Sequence, residues 1–258
     1  MAELPDLSVF AKTLNHYFKG RTLKSIEVTV AKKLNVTAKE LKDTLEGNRL
    51  ELVQREGKTL EFNFGNGNIL GLHLMLRGEL TLIDKDNPSP RFEIIRFDFG
   101  KYGAFAVTDF LKQARPTLNP KPVNVPDALA IGQQEFIKIL SKKEVAVKTV
   151  LMDQKQVRGI GNSYADEILW QARISPFSIA SSIPKKVTIA LFDTMRKVLH
   201  DAIDTISELN GNELRGELRD VLKIHAAHLD KSPTGKQIKS EKLNGRTAYF
   251  TDEQKLYN

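Results

Sequence analysis

The 258-residue sequence predicts an α+β protein of two domains, the first rich in strands and the second in helices. Three observations predict it. From residue 23 to about residue 107 the apolar positions mostly alternate, which is the period of half-buried strands. Residues 115–126 hold Pro116, Pro120, Pro122 and Pro126, a stiff extended connection rather than an element, and the domain boundary is placed there. Beyond it apolar residues recur at helical spacing until the chain returns to strands near its end.

Taken in order, the elements begin with a helix starting near Asp6 that carries Leu7, Phe10, Leu14, Tyr17 and Phe18 on one face. Strands follow through Leu23, Ile26, Val28 and Val30, through Leu60, Phe62 and Phe64, and through Phe92, Ile94, Phe97 and Phe99. Asn66-Gly67, between strand-like runs at 59–64 and 68–75, is a two-residue hairpin signal. The expected architecture is a sandwich or barrel. Helical patterns then occupy residues 133–140, 145–152, 163–171 and 185–209. Finally residues 237–243 and 246–250 flank Asn244-Gly245, a second hairpin with Arg246 beside its tip. No internal repeat or low-complexity tract is visible.

Composition narrows the function. Thirty-nine Lys and Arg against thirty-two Asp and Glu leave a net charge of +7, which favours polyanionic partners. A hydrophobic content of 41% suffices for real cores. Cysteine is absent, which excludes disulfides, thiolate catalysis and any Cys-ligated zinc or iron-sulfur site. There is no apolar run of membrane-spanning length, and Leu4 and Pro5 sit among charges rather than ahead of a greasy leader, so an intracellular protein is expected.

The most informative stretch is DQKQVRGIGNSYADEILWQARISP, residues 153–176, a glycine-flanked polar corner between two helical patterns. Gly159 and Gly161 straddle Ile160 and open backbone conformations closed to other residues. A helix starting there presents amide hydrogens that attract phosphate. Asn162 and Tyr164 add neutral donors, and Lys155 and Arg158 cationic ones. The same spacing also fits an ordinary packing corner between two helices.

These residues resemble the formamidopyrimidine-DNA glycosylase and endonuclease VIII family of base-excision repair enzymes, and the resemblance runs the length of the chain. AELPD at the start is similar to the family's opening, REGKTL at 55–60 to its lysine-bearing hairpin, and residues 153–176 to its helix-two-turns-helix element. GLHLMLRGEL at 71–80 and DFGKYG at 98–103 resemble the strands and loop that wedge into the duplex, and NGRTAYF at 244–250 resembles the end finger. The resemblance implies an N-terminal catalytic β-sandwich domain over 1–114, a linker over 115–126, a helix-two-turns-helix DNA-binding domain over 127–230 and a β-hairpin finger over 231–258.

The chemistry implied is excision of an oxidised base, with purines favoured by Leu4-Pro5, followed by cleavage at the abasic site. An amine attacks the anomeric carbon, and the resulting Schiff base acidifies the neighbouring proton for elimination. An α-amino group is neutral roughly a tenth of the time at pH 7, a free lysine a few hundred times less, so the terminus is the better nucleophile unless burial depresses Lys58. By the resemblance the amine belongs to Ala2 once Met1 is removed, Glu3 handles protons at the sugar, and Lys58 contacts phosphate and assists the leaving base. Leu76 would fill the hole left by the flipped nucleotide, Lys101 and Tyr102 would meet the estranged base, and Arg246 would grip phosphates. Read without the family, Glu3 also fits a helix start, Lys58 a solvated turn, Leu76 a core position and Tyr102 a loop.

The sequence departs from the family's pattern twice. Ala2 stands where a proline is usual; a primary amine still forms an imine, and a catalytically weak or inactive binder of damaged DNA is the alternative. The finger has Ser232, Thr234 and Thr251 where most members hold zinc with four cysteines, so a zincless finger and no cofactor are expected. His225 and His228 make only a weak metal pair and are read as surface or DNA-facing. The expected partner is double-stranded DNA with damaged bases or abasic sites, bound by a monomer in the cytoplasm, at the nucleoid.

Overall fold

The computed structural model describes residues 1–83, 90–214 and 216–258. The alternating region becomes two four-stranded antiparallel sheets. One runs in the order β1 (Ser25–Val28), β6 (Glu93–Asp98), β7 (Ala104–Thr108), β5 (Glu79–Ile83). The other runs β2 (Leu50–Glu56), β3 (Thr59–Phe64), β4 (Ile69–His73), β8 (Arg115–Leu118). Alternate side chains of β3, Leu60, Phe62 and Phe64, are buried. Phe62 stacks on Phe105 of the opposite sheet with ring centroids 5.5 Å apart, and Phe97 lies 4.9 Å from Phe105. The two sheets thus form a sandwich with an aromatic core.

Helix α1 (Leu4–Phe18) closes that core. Leu7, Phe10, Leu14 and Phe18 are buried, and Phe18 stacks on Phe99 at 4.6 Å. Its start is fixed by a reciprocal capping box: Glu3 is the N-cap, and its backbone amide donates to Asp6 Oδ2 at 3.0 Å. A short helix α2 (Ala38–Leu45), capped by Thr37, interrupts the strands; the alternation had not announced it.

Two expectations need correction here. Residues 115–118 are not linker but strand β8, with Pro116 opposite Leu72. β8 is the edge of its sheet, where a residue without an amide hydrogen leaves no ladder partner unserved. The Asn66-Gly67 signal does mark a hairpin, but its loop spans residues 65–68, and only Gly67 of the pair has positive φ, at 81°.

The chain divides into two compact units. The first comprises Met1–Val123 and Ile206–Glu217, the second Asn124–Thr205 and Leu218–Asn258. Residues 127–230 are therefore not one continuous unit. The second contains α3 (Gln133–Leu140), α4 (Val147–Met152), α5 (Asn162–Gln171), most of α6 (Lys185–Asn210), and the hairpin β9 (Lys239–Leu243) and β10 (Arg246–Phe250). The β9–β10 turn takes Asn244 at φ 49° and Gly245 at φ 77°, the geometry an Asn-Gly pair supplies at low cost. Among the described residues no helix is long and apolar enough to cross a membrane.

Candidate active site

In the first unit, the start of the chain is enclosed rather than frayed. Ala2 packs into the core and Glu3 is only 4% exposed. The Met1 amino group pairs with Glu217, which the return segment brings to this end. Asp6 sits in the same nest. Its burial, with Glu3 and Glu217 nearby, pushes its carboxyl up to about 7 despite the hydrogen bond from Glu3 N. Glu3 thus caps α1 and is a buried carboxylate beside the terminal residues.

Lys58 is not a solvated turn lysine. It is 9% exposed, in the tight turn between β2 and β3. Its charge, with that of Arg115, disfavours protonation of His73, whose pKa is lowered chiefly by burial. His73 lies opposite Arg115 in the β4–β8 register. The Met75 amide donates to His73 Nδ1 at 3.0 Å, so that nitrogen accepts and a neutral ring keeps its hydrogen on Nε2. Thr59, Gly71, His73, Arg115 and Thr117 line an open recess of about 310 Å³. Arg115 and a neutral imidazole donor on one recess, with the Lys58 charge close enough to act on His73, suit a phosphate. His73 and Arg115 were not singled out from sequence. Extending the hairpin register from Asn66-Gly67 would have found His73, whereas Arg115 was hidden in the supposed linker.

Leu76 is 56% exposed, which removes the core reading. It rides a tight loop after β4, closed by Gly78 N donating to Leu74 O at 2.9 Å. A Cβ at Gly78 would come within 2.2 Å of that carbonyl oxygen, so glycine is required there. Lys101 and Tyr102 occupy a 3₁₀ turn, Gly100–Tyr102, and Tyr102 is 40% exposed. The Arg21 guanidinium lies 4.0 Å from the Tyr102 ring centroid and the Lys101 ammonium 5.3 Å. Arg21 carried no motif that would have marked it.

In the second unit, the polar corner is organised by Gln154. Its amide donates to Met152 O at 2.9 Å and Ile160 O at 2.8 Å, and its Oε1 accepts from Gly159 N at 3.0 Å. Gly159 has φ 103°, as its left-handed role requires, whereas Gly161 is extended at φ −122° and serves as N-cap of α5. Lys155 is exposed. Arg158 is half-buried, its Nε donating to Val125 O at 2.6 Å. Tyr164, on α5, is buried.

Asn162 opens α5, and its Nδ2 donates to Thr247 O at 3.2 Å, one residue from Arg246. Lys148 donates to the same carbonyl at 3.0 Å and pairs with Asp166 at 2.7 Å, both side chains buried. Asp166 also accepts from Tyr249 N at 2.9 Å and stands 2.6 Å from His225 Nδ1. His225 is thus an internal partner rather than a free surface residue. Asn244 Nδ2 donates to Thr149 Oγ1 at 3.0 Å. The corner and the finger tip consequently share one recess of about 220 Å³, lined by Lys148, Thr149, Asp153, Asn244 and Arg246 among others.

This combination of an antiparallel sandwich, a glycine-cornered helix pair and a terminal hairpin recurs in solved structures. A Lactococcus lactis Fpg in complex with abasic-site-containing DNA superposes with a TM-score of 0.86, at 24% identity, covering 98% of this chain and 99% of that one. Residues 1–115 match the formamidopyrimidine-DNA glycosylase N-terminal domain, and residues 124–210 the formamidopyrimidine-DNA glycosylase H2TH domain. The formamidopyrimidine-DNA glycosylase of Listeria monocytogenes is 31% identical over 97% of this chain and 98% of its own length. That of Carboxydothermus hydrogenoformans is 30% identical over 87% and 88% respectively. The chain belongs to the formamidopyrimidine-DNA glycosylase family.

Proposed function

We propose that the protein is a DNA glycosylase with abasic-site lyase activity that removes oxidised bases, purines foremost, from duplex DNA. The observation that carries this reading is the enclosed start of the chain, with Glu3 buried at the head of α1 directly after Ala2 and Asp6 beside it. A packing role alone gives no reason to gather carboxylates around a terminal amine, because each pays desolvation.

With Met1 removed, the Ala2 nitrogen attacks C1′ of a flipped nucleotide. The N–C1′ bond forms as the glycosidic bond breaks, its electron pair leaving with the base, which takes up a proton. Glu3 moves protons at the sugar as the ring opens to an iminium. Loss of the C2′ proton then expels the 3′ phosphate. Lys58, His73 and Arg115 hold a phosphate at the recess between β3, β4 and β8. Leu76 fills the gap in the stack and Tyr102 stacks on the estranged base, an interaction of about 1–3 kcal/mol that offsets a flipping cost of similar size. Asn162, the α5 amides and Arg246 grip the backbone.

One observation favours a second reading, a damage-binding protein that does not cut. Ala2 stands where a proline is usual, so the attacking amine would be primary rather than secondary. Borohydride reduction in the presence of abasic-site DNA separates the two. An adduct mapped to Ala2 supports the glycosylase; an adduct at Lys58 moves the nucleophile; no adduct, with tight binding retained, favours the binder.

A further inference from the structure

The metal that the resemblance associates with the finger does not fit the residues present. Zinc takes thiolate, imidazole or carboxylate ligands, whereas Ser232, Thr234 and Thr251 offer neutral hydroxyls. Those hydroxyls are already committed. Ser232 Oγ lies 2.8 Å from Thr234 Oγ1, which donates to Glu253 Oε2 at 2.7 Å. Thr251 Oγ1 donates to the same oxygen at 3.2 Å, and Arg173 Nη1 pairs with it at 2.8 Å. No group of three or more His, Cys, Asp or Glu able to hold a metal exists among the described residues.

One carboxylate oxygen therefore gathers three stretches of chain: the turn at 232–234, the end of β10 at Thr251, and Arg173 just past α5. Around it the backbone is tied down as well. Ser232 N donates to Lys236 O at 2.9 Å, Thr251 N to Gln254 Oε1 at 2.8 Å, and Lys255 N to Arg173 O at 2.9 Å. Ser232 and Thr251 are buried to 5% and 1% exposure, depths a surface loop would not need. A two-stranded hairpin of five-residue strands is marginal by itself, so its root has to be clamped for its tip to hold a fixed position.

We propose that Glu253 is a positioning residue that clamps the root of the finger, in place of a metal, and so aims Arg246 at DNA phosphate. The inference rests on the reading of Arg246 as a phosphate contact. The clamp stays charged at neutral pH, because the Thr234 hydrogen bond, followed by Arg173 and Thr251, holds the Glu253 carboxyl below its usual range.

The test uses the full chain and a duplex carrying a tetrahydrofuran abasic analogue, with affinity measured across salt concentrations. Arg246→Ala is expected to weaken binding roughly ten-fold and to reduce the salt slope by about one, the signature of one lost phosphate contact. Glu253→Ala should reproduce both changes, and the double variant should lose nothing further. Thr234→Val, which removes one donor and leaves the charge, should show the same change on a smaller scale. Hydrogen exchange should quicken across residues 239–250 in Glu253→Ala but not in α5. Added chelator should change nothing. Additive losses in the double variant, an unchanged slope in both Glu253→Ala and Thr234→Val, or a chelator-sensitive affinity would overturn the clamp. An unchanged slope in Arg246→Ala would instead remove the reading of Arg246 on which the clamp rests.

Discussion

Leu76 and Gly78 show how two residues on one loop can have opposite tolerances. Leu76 projects into solvent and contributes little to the fold, so Leu76→Ala should change stability by no more than about 0.5 kcal/mol. Its effect should appear in binding, as a loss confined to duplexes with a flipped or missing base. Calorimetry together with affinities for damaged and intact duplex checks this; an equal loss on both duplexes would count against the wedge. Gly78→Ala has no such freedom, because its Cβ would collide with Leu74 O, and relief requires moving the backbone at a cost of about 1–3 kcal/mol. Asp6 gives the pH counterpart. Its pKa is raised from 3.8 to about 7, so folding favours its protonated form. The corresponding stability is present below the unfolded value and lost as pH rises through about 7. Asp6→Asn should therefore flatten the stability profile between those limits, which melts at a series of pH values would reveal. Both residues stood in motifs already picked out in the sequence. What the motifs could not give was depth: Leu76 fitted a core as well as a tip until the loop was closed, and Asp6 had no assigned role until its burial was seen.

At the scale of elements, α4, α5 and β10 are joined through a set of polar contacts. Lys148 and Asp166 form a buried ion pair, and both also bond the finger backbone, at Thr247 and Tyr249. Removing one partner leaves an uncompensated buried charge, at a cost of about 3–5 kcal/mol. Lys148→Met should thus destabilise strongly, and adding Asp166→Asn should recover part of the loss; a double variant no better than the single would show that the pair does not carry the coupling. Glu167 makes the adjoining tie, accepting from the backbone amides of Lys223, Ile224 and His225, and burial raises its pKa. Helix α6 was legible because its period runs for 26 residues, α3 because Phe136, Ile137, Ile139 and Leu140 make half of it apolar, and the finger because Asn-Gly marks its turn. β8 was not, since prolines read as linker unless the strand is known to lie on an edge. α2 was missed because Ala38, Leu41 and Leu45 are its only apolar residues, too few to declare a period. The Lys148–Asp166 pair lay in plain view, yet no local pattern says that a lysine and an aspartate eighteen positions apart will be sealed together.

For the whole molecule, the consequential feature is that the first unit is discontinuous. The chain leaves it after Val123 and returns for Ile206–Glu217 before leaving again. The return supplies more than packing. Leu214 packs against the sandwich core, Ser207 accepts from Lys12 at 2.9 Å, and Glu217 reaches the start of the chain. A proline-rich boundary read from sequence implies a single cut, and no local signal in residues 206–217 marks them as belonging with the strands. The return also bears on Asp6, since Glu217 is one of the charges that hold it in its raised state. Glu217→Gln removes that repulsion while keeping the side chain's size, so the Asp6 titration should move down from about 7 towards the ordinary aspartate range without reaching it, because burial remains the larger cause. Carboxyl-carbon NMR of Asp6 across pH measures this directly. An unmoved titration would mean that the return segment does not reach the terminal nest in solution. Were the shift seen together with an acid-shifted rate of borohydride trapping, the segment after α6 would be setting the protonation state around the terminal amine.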